Sequence, residues 1–180
     1  MIQIKRVSVL CIIFFGVFAL FLWSENSARC QGWTDLRIRL LSDSSFAVVE
    51  VKAGEKIRHC PHHDSNGKID EEQLIYVLGT IDRETWLDPE NEGVAKKHLE
   101  KHYDKFIAKV MKKGLQGSVN INRAKLTQLV ALPRIGPVLA VKIVEYRNMH
   151  GLFEKIEDIR KVQGIGSGTF NAIKHYITVR

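Results

Sequence analysis

Apolar and polar positions follow different periods in successive parts of this chain, and each period predicts a different element. Val7–Trp23 is a 17-residue uncharged run in which only Ser8 interrupts the apolar character, so it predicts a hydrophobic helix. Leu36–Leu41 and Phe46–Val51 are short apolar stretches with β-branched content. The turn-forming Ser42-Asp43-Ser44-Ser45 between them predicts a β-hairpin. Glu71–Ile81 predicts a helix. A second, longer helix is framed by Asp88 as N-cap, Pro89 at its first position and Gly114 as terminator. Val94, Leu99, Tyr103, Phe106 and Val110 form its apolar stripe, and Lys109, Lys112 and Lys113 suit the negative end of its dipole.

Beyond residue 117 the pattern repeats. Leu129, Leu132, Ile135 and Gly136 match Ile159, Val162, Ile165 and Gly166, and Ile143 and Tyr146 match Ile173 and Tyr176, each pair offset by 30 residues. A constant offset is the signature of a duplicated supersecondary unit. Each copy reads as a short helix, a tight turn and a longer helix. Pro133 disfavours helical geometry at Leu132, which ends the first short helix, and Pro137 suits the start of the next. In the second copy Gly164 and Gly166 flank Ile165 and are free to take positive φ. Ile135 and Ile165 are expected to plug the angle between the helices of each unit.

Composition narrows the class. With 180 residues, 45% hydrophobic side chains and three cysteines, the chain is neither collagen-like, nor a polar disordered chain, nor a disulfide-dense miniprotein. The formal net charge of +7 is unevenly spread. Residues 1–23 carry +2, residues 24–117 carry −1, and residues 118–180 carry +6. The duplicated segment therefore holds nearly all the excess, which points to a polyanion partner.

Lys5 and Arg6 precede the apolar run, so the chain after Trp23 is expected outside the cytoplasm, periplasmic or at the cell surface. The run is a signal peptide or a membrane anchor. The poor small-x-small site at Asn26 and Ala28 favours an uncleaved anchor. In an oxidising compartment Cys30 and Cys60 are the candidate disulfide pair, with two free thiols as the alternative.

Cys60, His62 and His63 stand together in sequence, and His98 and His102 share one face of the long predicted helix. Thiolate plus imidazole suits tetrahedral zinc, which makes Cys60, His62, His98 and His102 zinc candidates. Sequence does not bring the two groups together across 35 residues, so the reading adopted is ordinary hydrogen-bonded histidines, with no cofactor. No nucleophile–base set or carboxylate-rich nuclease site accompanies them, and the chain reads as a non-enzyme.

Val119-Asn120-Ile121-Asn122-Arg123-Ala124, Leu132-Pro133-Arg134-Ile135-Gly136-Pro137-Val138-Leu139-Ala140, Ile143-Val144-Glu145-Tyr146-Arg147 and His150-Gly151-Leu152-Phe153 carry a more specific signal. Together they resemble the tandem helix-hairpin-helix domain of the competence DNA-uptake receptor (ComEA) type. That resemblance covers about a third of the chain. It implies double-stranded DNA as partner, gripped across the minor groove by two turns whose backbone N–H groups hold phosphate oxygens. The turn residues concerned are Ile135 and Gly136 in the first copy and Gly164, Ile165, Gly166 and Ser167 in the second, and the cations Arg134, Lys142, Arg147, Lys161 and Lys174 are candidates for added phosphate contacts. Contacts of this kind read the backbone and not the bases.

The resulting expectation is a mainly α protein in three parts: residues 1–23 as signal peptide or membrane anchor, residues 33–117 as a small α+β module, and residues 118–180 as the tandem helix-hairpin-helix domain. The function implied is DNA capture or uptake, with the membrane and uptake-machinery proteins as further partners. The alternatives are a protein-interaction adaptor built on the helical hairpins and a DNA-repair accessory protein.

Overall fold

The computed structural model describes residues 33–180. The apolar run at 7–23 and Cys30 lie outside the described residues, and with them the expected anchor and the Cys30–Cys60 pair. Among the described residues no helix is long and apolar enough to cross a membrane. About half of the described residues are helical, with two small sheets of two strands each.

The β-hairpin forms one strand later than the apolar pattern predicts. Thr34 Oγ1 accepts the Arg37 N–H at 3.3 Å and caps helix α1, Asp35–Arg39, so Leu36–Leu41 is not a strand. The apolar run there is helical because Thr34 and Asp35 supply a helix start and Arg37 and Arg39 a basic last turn. Strand β1, Phe46–Lys52, pairs antiparallel with β2, Glu55–Pro61. Ala53 and Gly54 join them with φ of 50° and 83°, the double positive φ of a two-residue hairpin turn.

Helix α2, Glu71–Thr80, starts where Asp70 Oδ1 accepts the Gln73 N–H at 3.0 Å. It runs on into a 3-10 turn at Ile81–Arg83. Helix α3, Glu90–Lys113, follows the Asp88–Gly114 frame: Asp88 Oδ1 accepts the Glu90 N–H at 3.0 Å, and Gly114 stops the helix at φ 70°. Its stripe departs from expectation at one position. Val94 is exposed, and its neighbour Ala95 is buried instead.

The duplicated segment begins with β3, Val119–Asn120, which pairs in parallel with β4, Ile177–Thr178. Between them lie α4, Leu126–Leu129, α5, Pro137–His150, a 3-10 segment at Ile156–Lys161 and α6, Ser167–Ile173. The Val-Asn-Ile-Asn stretch has a clear physical role. Asn122 Nδ2 donates to the carbonyls of Phe153 and Val179 at 2.9 and 3.1 Å, and its Oδ1 accepts from the Phe153 N–H at 2.8 Å. One amide thus ties together the start, middle and end of the segment.

The predicted boundary at 117/118 is a change of sequence pattern with a shared core across it. Ile75 of α2 and Phe106 of α3 sit in the same apolar cluster as Ile121, Leu129, Ile143 and Ile173. Helix α2 packs against α5 so closely that a Cβ on Gly79 would stand 2.5 Å from Val141 Cγ2 and 2.8 Å from the Pro137 carbonyl. Glu72 accepts the N–H groups of Leu126 and Thr127 at the start of α4, supplying the acidic cap that α4 itself lacks.

A smaller core gathers Cys60, Leu74, Val77, Leu78, Ile81, Ala95 and Leu99. At its edge the buried carboxylate of Glu50 accepts from the Leu87 and Asp88 N–H groups and from Asn91 Nδ2, each at 2.9 Å, and lies 2.9 Å from His59 Nε2. Burial alone would raise its pKa. These donors outweigh it and hold Glu50 at about 2, against an ordinary 4.5. A folded-state pKa below the unfolded one stabilises the fold above the unfolded value and ceases to do so as pH falls through the folded one. Urea midpoints should therefore decline between about pH 4.5 and pH 2, and Glu50→Gln should flatten the decline measured across that window.

Candidate nucleic-acid interface

The two copies of the repeat fold into helical hairpins with matching hydrogen bonds. Ile135 N–H donates to the Leu132 carbonyl at 3.2 Å, and Ile165 N–H to the Val162 carbonyl at 3.0 Å. Ala140 N–H donates to Gly136 and Phe170 N–H to Gly166, both at 3.0 Å. Ile135 and Ile165 are each 3% exposed and plug the inter-helix angle as expected; their side chains are core, and only their backbone can face a ligand. Helices α5 and α6 start at Gly136 and Gly166 with no side-chain cap, so their first-turn N–H groups have no intrahelical partner.

Glycine is required at Gly164, not at Gly166. Gly164 has φ 98°, and a Cβ there would meet Leu139 Cδ2 at 2.9 Å. Gly136 and Gly166 are extended, with φ of −92° and −86°, which corrects the expectation that Gly166 takes positive φ. A Cβ on either would meet nothing within 4 Å. What these two glycines leave is open space in front of uncapped amides. Arg134 occupies the position equivalent to Gly164 and takes φ 65°, a left-handed conformation costing a non-glycine residue about 1–2 kcal/mol.

The hairpins interlock through those equivalent positions. Gly164 packs on Leu139 of α5, while a Cβ on Gly168 of α6 would lie 3.3 Å from Arg134 Nη1. The Arg134 guanidinium therefore reaches the first turn of the opposite hairpin's long helix. Lys142 Nζ donates to Gln163 Oε1 at 3.3 Å, so it too crosses between the repeats. Lys142 and Lys161 line one groove with Arg83, Glu145 and Tyr146. Lys161 is held by Asp158 at 2.9 Å, and Lys174 is the half-buried C-cap of α6.

Arg147 departs from the predicted set. Its guanidinium is half-buried and donates to the Ile121 and Ala124 carbonyls, both at 2.8 Å. Burial lowers its pKa, and both carbonyls lie in the segment that opens the repeat. Arg147 positions that segment. Gln163 and Gly168 stand opposite Lys142 and Arg134; that register depends on the pseudo-symmetric packing, which no short motif encodes.

The zinc candidates separate. His62, His98 and His102 meet, and His63 joins them. Cys60 lies 1% exposed in the smaller core, its thiol pushed up to about 12 by burial and the Glu84 charge. It is a buried apolar neighbour and not one of the ligand-type atoms that cluster. Burial pushes His62 down to about 4, and burial likewise lowers His98 and His102.

Residues 116–178 match a family model described as the helix-hairpin-helix motif. The chain is 48% identical over 62 residues to ComE operon protein 1 of Bacillus subtilis (strain 168), covering 34% of this chain and 30% of that protein. It is 39% identical over 59 residues to endonuclease/exonuclease/phosphatase family domain-containing protein 1 of Rattus norvegicus, covering 33% and 10%. The protein of that name from Danio rerio is 42% identical over 64 residues, covering 36% and 12%. The chain thus spans under a third of the length of these relatives, and its C-terminal region carries a helix-hairpin-helix domain.

The strained arginine makes a stability prediction. Arg134→Gly removes about 1–2 kcal/mol of left-handed strain and adds roughly 0.5–1 kcal/mol of unfolded-state entropy. The urea midpoint should rise by the equivalent of about 0.5–1 kcal/mol. A lower midpoint would mean that the Arg134 side chain outweighs its own backbone cost.

Proposed function

We propose that this protein binds double-stranded DNA through its two helical hairpins, in DNA capture or uptake, and does so without catalysis. The observation that carries the reading is the duplicated turn. Two equivalent glycines, 30 residues apart, open uncapped helix starts onto free space, and Arg134 and Lys142 bridge the repeats beside them. Paired amide cradles related by a pseudo-twofold suit phosphates on two antiparallel strands. The helix-hairpin-helix match and the similarity to a ComE operon protein support the same reading.

The two turns divide the work unequally. Pro137 has no N–H to offer, whereas Ser167 supplies its amide and hydroxyl. The second hairpin therefore holds phosphate mainly through backbone amides. The first relies on Arg134, whose charged contact is stronger than a neutral one. Export and tethering through residues 7–23 belong to the same proposal, supported by the basic pair Lys5 and Arg6 before an uncharged run.

Gly166→Asp is the decisive variant, because the structure makes it a clean one. The position is extended and open, and Asp is a favourable N-cap. Its carboxylate would occupy the amides that phosphate needs. The full chain carrying it should keep or raise its Tm and lose affinity for duplex DNA by about 30-fold or more, near 2 kcal/mol. In the parent protein, neutralising on the order of four phosphates should give a slope near −3.6 for log affinity against log salt, nearly equal for different sequences. Normal DNA binding by folded Gly166→Asp protein would remove the second hairpin as the phosphate site.

A further inference from the structure

Four imidazoles from two distant parts of the chain converge on one spot. His62 and His63 follow the end of β2, and His98 and His102 lie one turn apart on α3. His98 Nε2 is 3.1 Å from His62 Nε2 and 3.3 Å from His102 Nε2. The His63 ring lies 4.3 Å from that of His62 and 5.3 Å from that of His102. One ligand-type atom from each of His62, His63 and His102 falls within 4.8 Å of the others.

Hydrogen bonding alone does not account for this arrangement. His62 Nδ1 is 2.9 Å from the Cys60 carbonyl, which can only accept, so Nδ1 carries the proton and Nε2 presents a lone pair. His98 Nε2 must then face two other ring nitrogens with a single site. If it carries the proton and donates to His62, that proton cannot point straight at His102 as well. If it is unprotonated and accepts from His102, two lone pairs face each other across 3.1 Å. His102 Nδ1 is moreover buried with no hydrogen-bond partner. A cation held by the three Nε2 lone pairs removes that conflict; His102 Nδ1 faces away from it on the other side of the ring.

We propose that His62, His98 and His102 bind a divalent transition-metal ion of the zinc class, with His63 completing the set. Tetrahedral zinc with bonds of about 2.0–2.1 Å places its nitrogen ligands about 3.3–3.4 Å apart, close to the 3.1 and 3.3 Å separations here. The Cys60 carbonyl fixes the tautomer and plane of the His62 ring, the outer hydrogen bond that metal-binding histidines commonly make. An all-imidazole set selects zinc, copper or nickel over calcium and magnesium, which need oxygen ligands.

The backbone holds the ligands in place. His62 N–H donates to the Ser45 carbonyl at 3.0 Å, and the His62 carbonyl accepts from Asp70 N–H at 3.0 Å. His63 forms a bridge with Ile69. The exposed His98 gives the ion a path from solvent. Bound there, the ion clips the end of the β-hairpin to the middle of α3, the helix that carries Phe106 into the main core.

The test uses the full chain without a polyhistidine tag, stripped with a chelator and titrated with Co²⁺ and then Zn²⁺. One equivalent of Co²⁺ should bind with the visible absorption of a tetrahedral ion, and Zn²⁺ should displace it and raise Tm. His98→Ala removes an exposed ring and keeps the fold. It should weaken zinc binding by about 100-fold or more, beyond what losing an outer hydrogen bond costs. His63→Ala should retain one equivalent at reduced affinity. Non-stoichiometric binding without tetrahedral absorption, or wild-type zinc affinity in His98→Ala, would overturn the site. DNA affinity is not part of this readout, so the metal site and the hairpin interface stand or fall separately.

Discussion

The close approach of α2 to the start of α5 is the constraint on which the rest of the described structure depends. Gly79 lies against Val141 and the Pro137 carbonyl with no room for a side chain, and Pro137 is the first residue of the first hairpin's long helix. The module before residue 118 therefore buttresses the first hairpin's turn. Two polar links reinforce it. Glu72 caps α4 from outside the repeat, and Arg83 holds Glu145 of α5 through a bidentate pair at 2.6 and 3.1 Å. The pair is partly exposed and contributes little energy by itself, but its bidentate geometry links the 3-10 turn after α2 to α5 in one orientation.

From that frame the interface follows as packing. A duplicated unit has two equivalent turns, and burial of Ile135 and Ile165 forces each turn's next residue outward. Arg134 reaches Gly168 and Gly164 packs on Leu139, so each turn touches the long helix of the other unit. The asymmetry between them is chemical and not topological. One turn keeps its amides and a glycine at positive φ, and the other keeps a strained arginine and a proline.

The fold was legible wherever local chemistry matched the tertiary outcome. The 30-residue offset, the stop at Gly114 and the two isoleucine plugs appear in the structure as read, while the long helix begins at Glu90, one residue later than its Asp88-Pro89 start signal implied. The β-hairpin was displaced because Leu36–Leu41 is apolar enough for a strand, while the decisive features are a cap at Thr34 and the Ala53-Gly54 turn. The inward contacts of Arg147 were not legible, because a cation in a basic segment carries no sign of the carbonyls it will meet. The histidines illustrate a third limit. The i, i+4 pair His98 and His102 was visible, but its meeting with His62 and His63 depends on how α3 crosses the hairpin, and Cys60 was grouped with them by proximity in sequence alone.

The central claim is that the two turns hold DNA phosphates, the second mainly through backbone amides and the first mainly through Arg134, and amide-resolved NMR tests it most directly. Titrating the ¹⁵N-labelled full chain with a short duplex of arbitrary sequence should move the amides of Gly136, Val138 and Leu139 and of Gly166, Ser167, Gly168 and Thr169 most. The α3 amides of Lys96, Lys97, Lys101 and Lys105, on an equally lysine-rich surface, should stay in place. The largest shifts falling on those α3 amides, with both turns unmoved, would contradict the account.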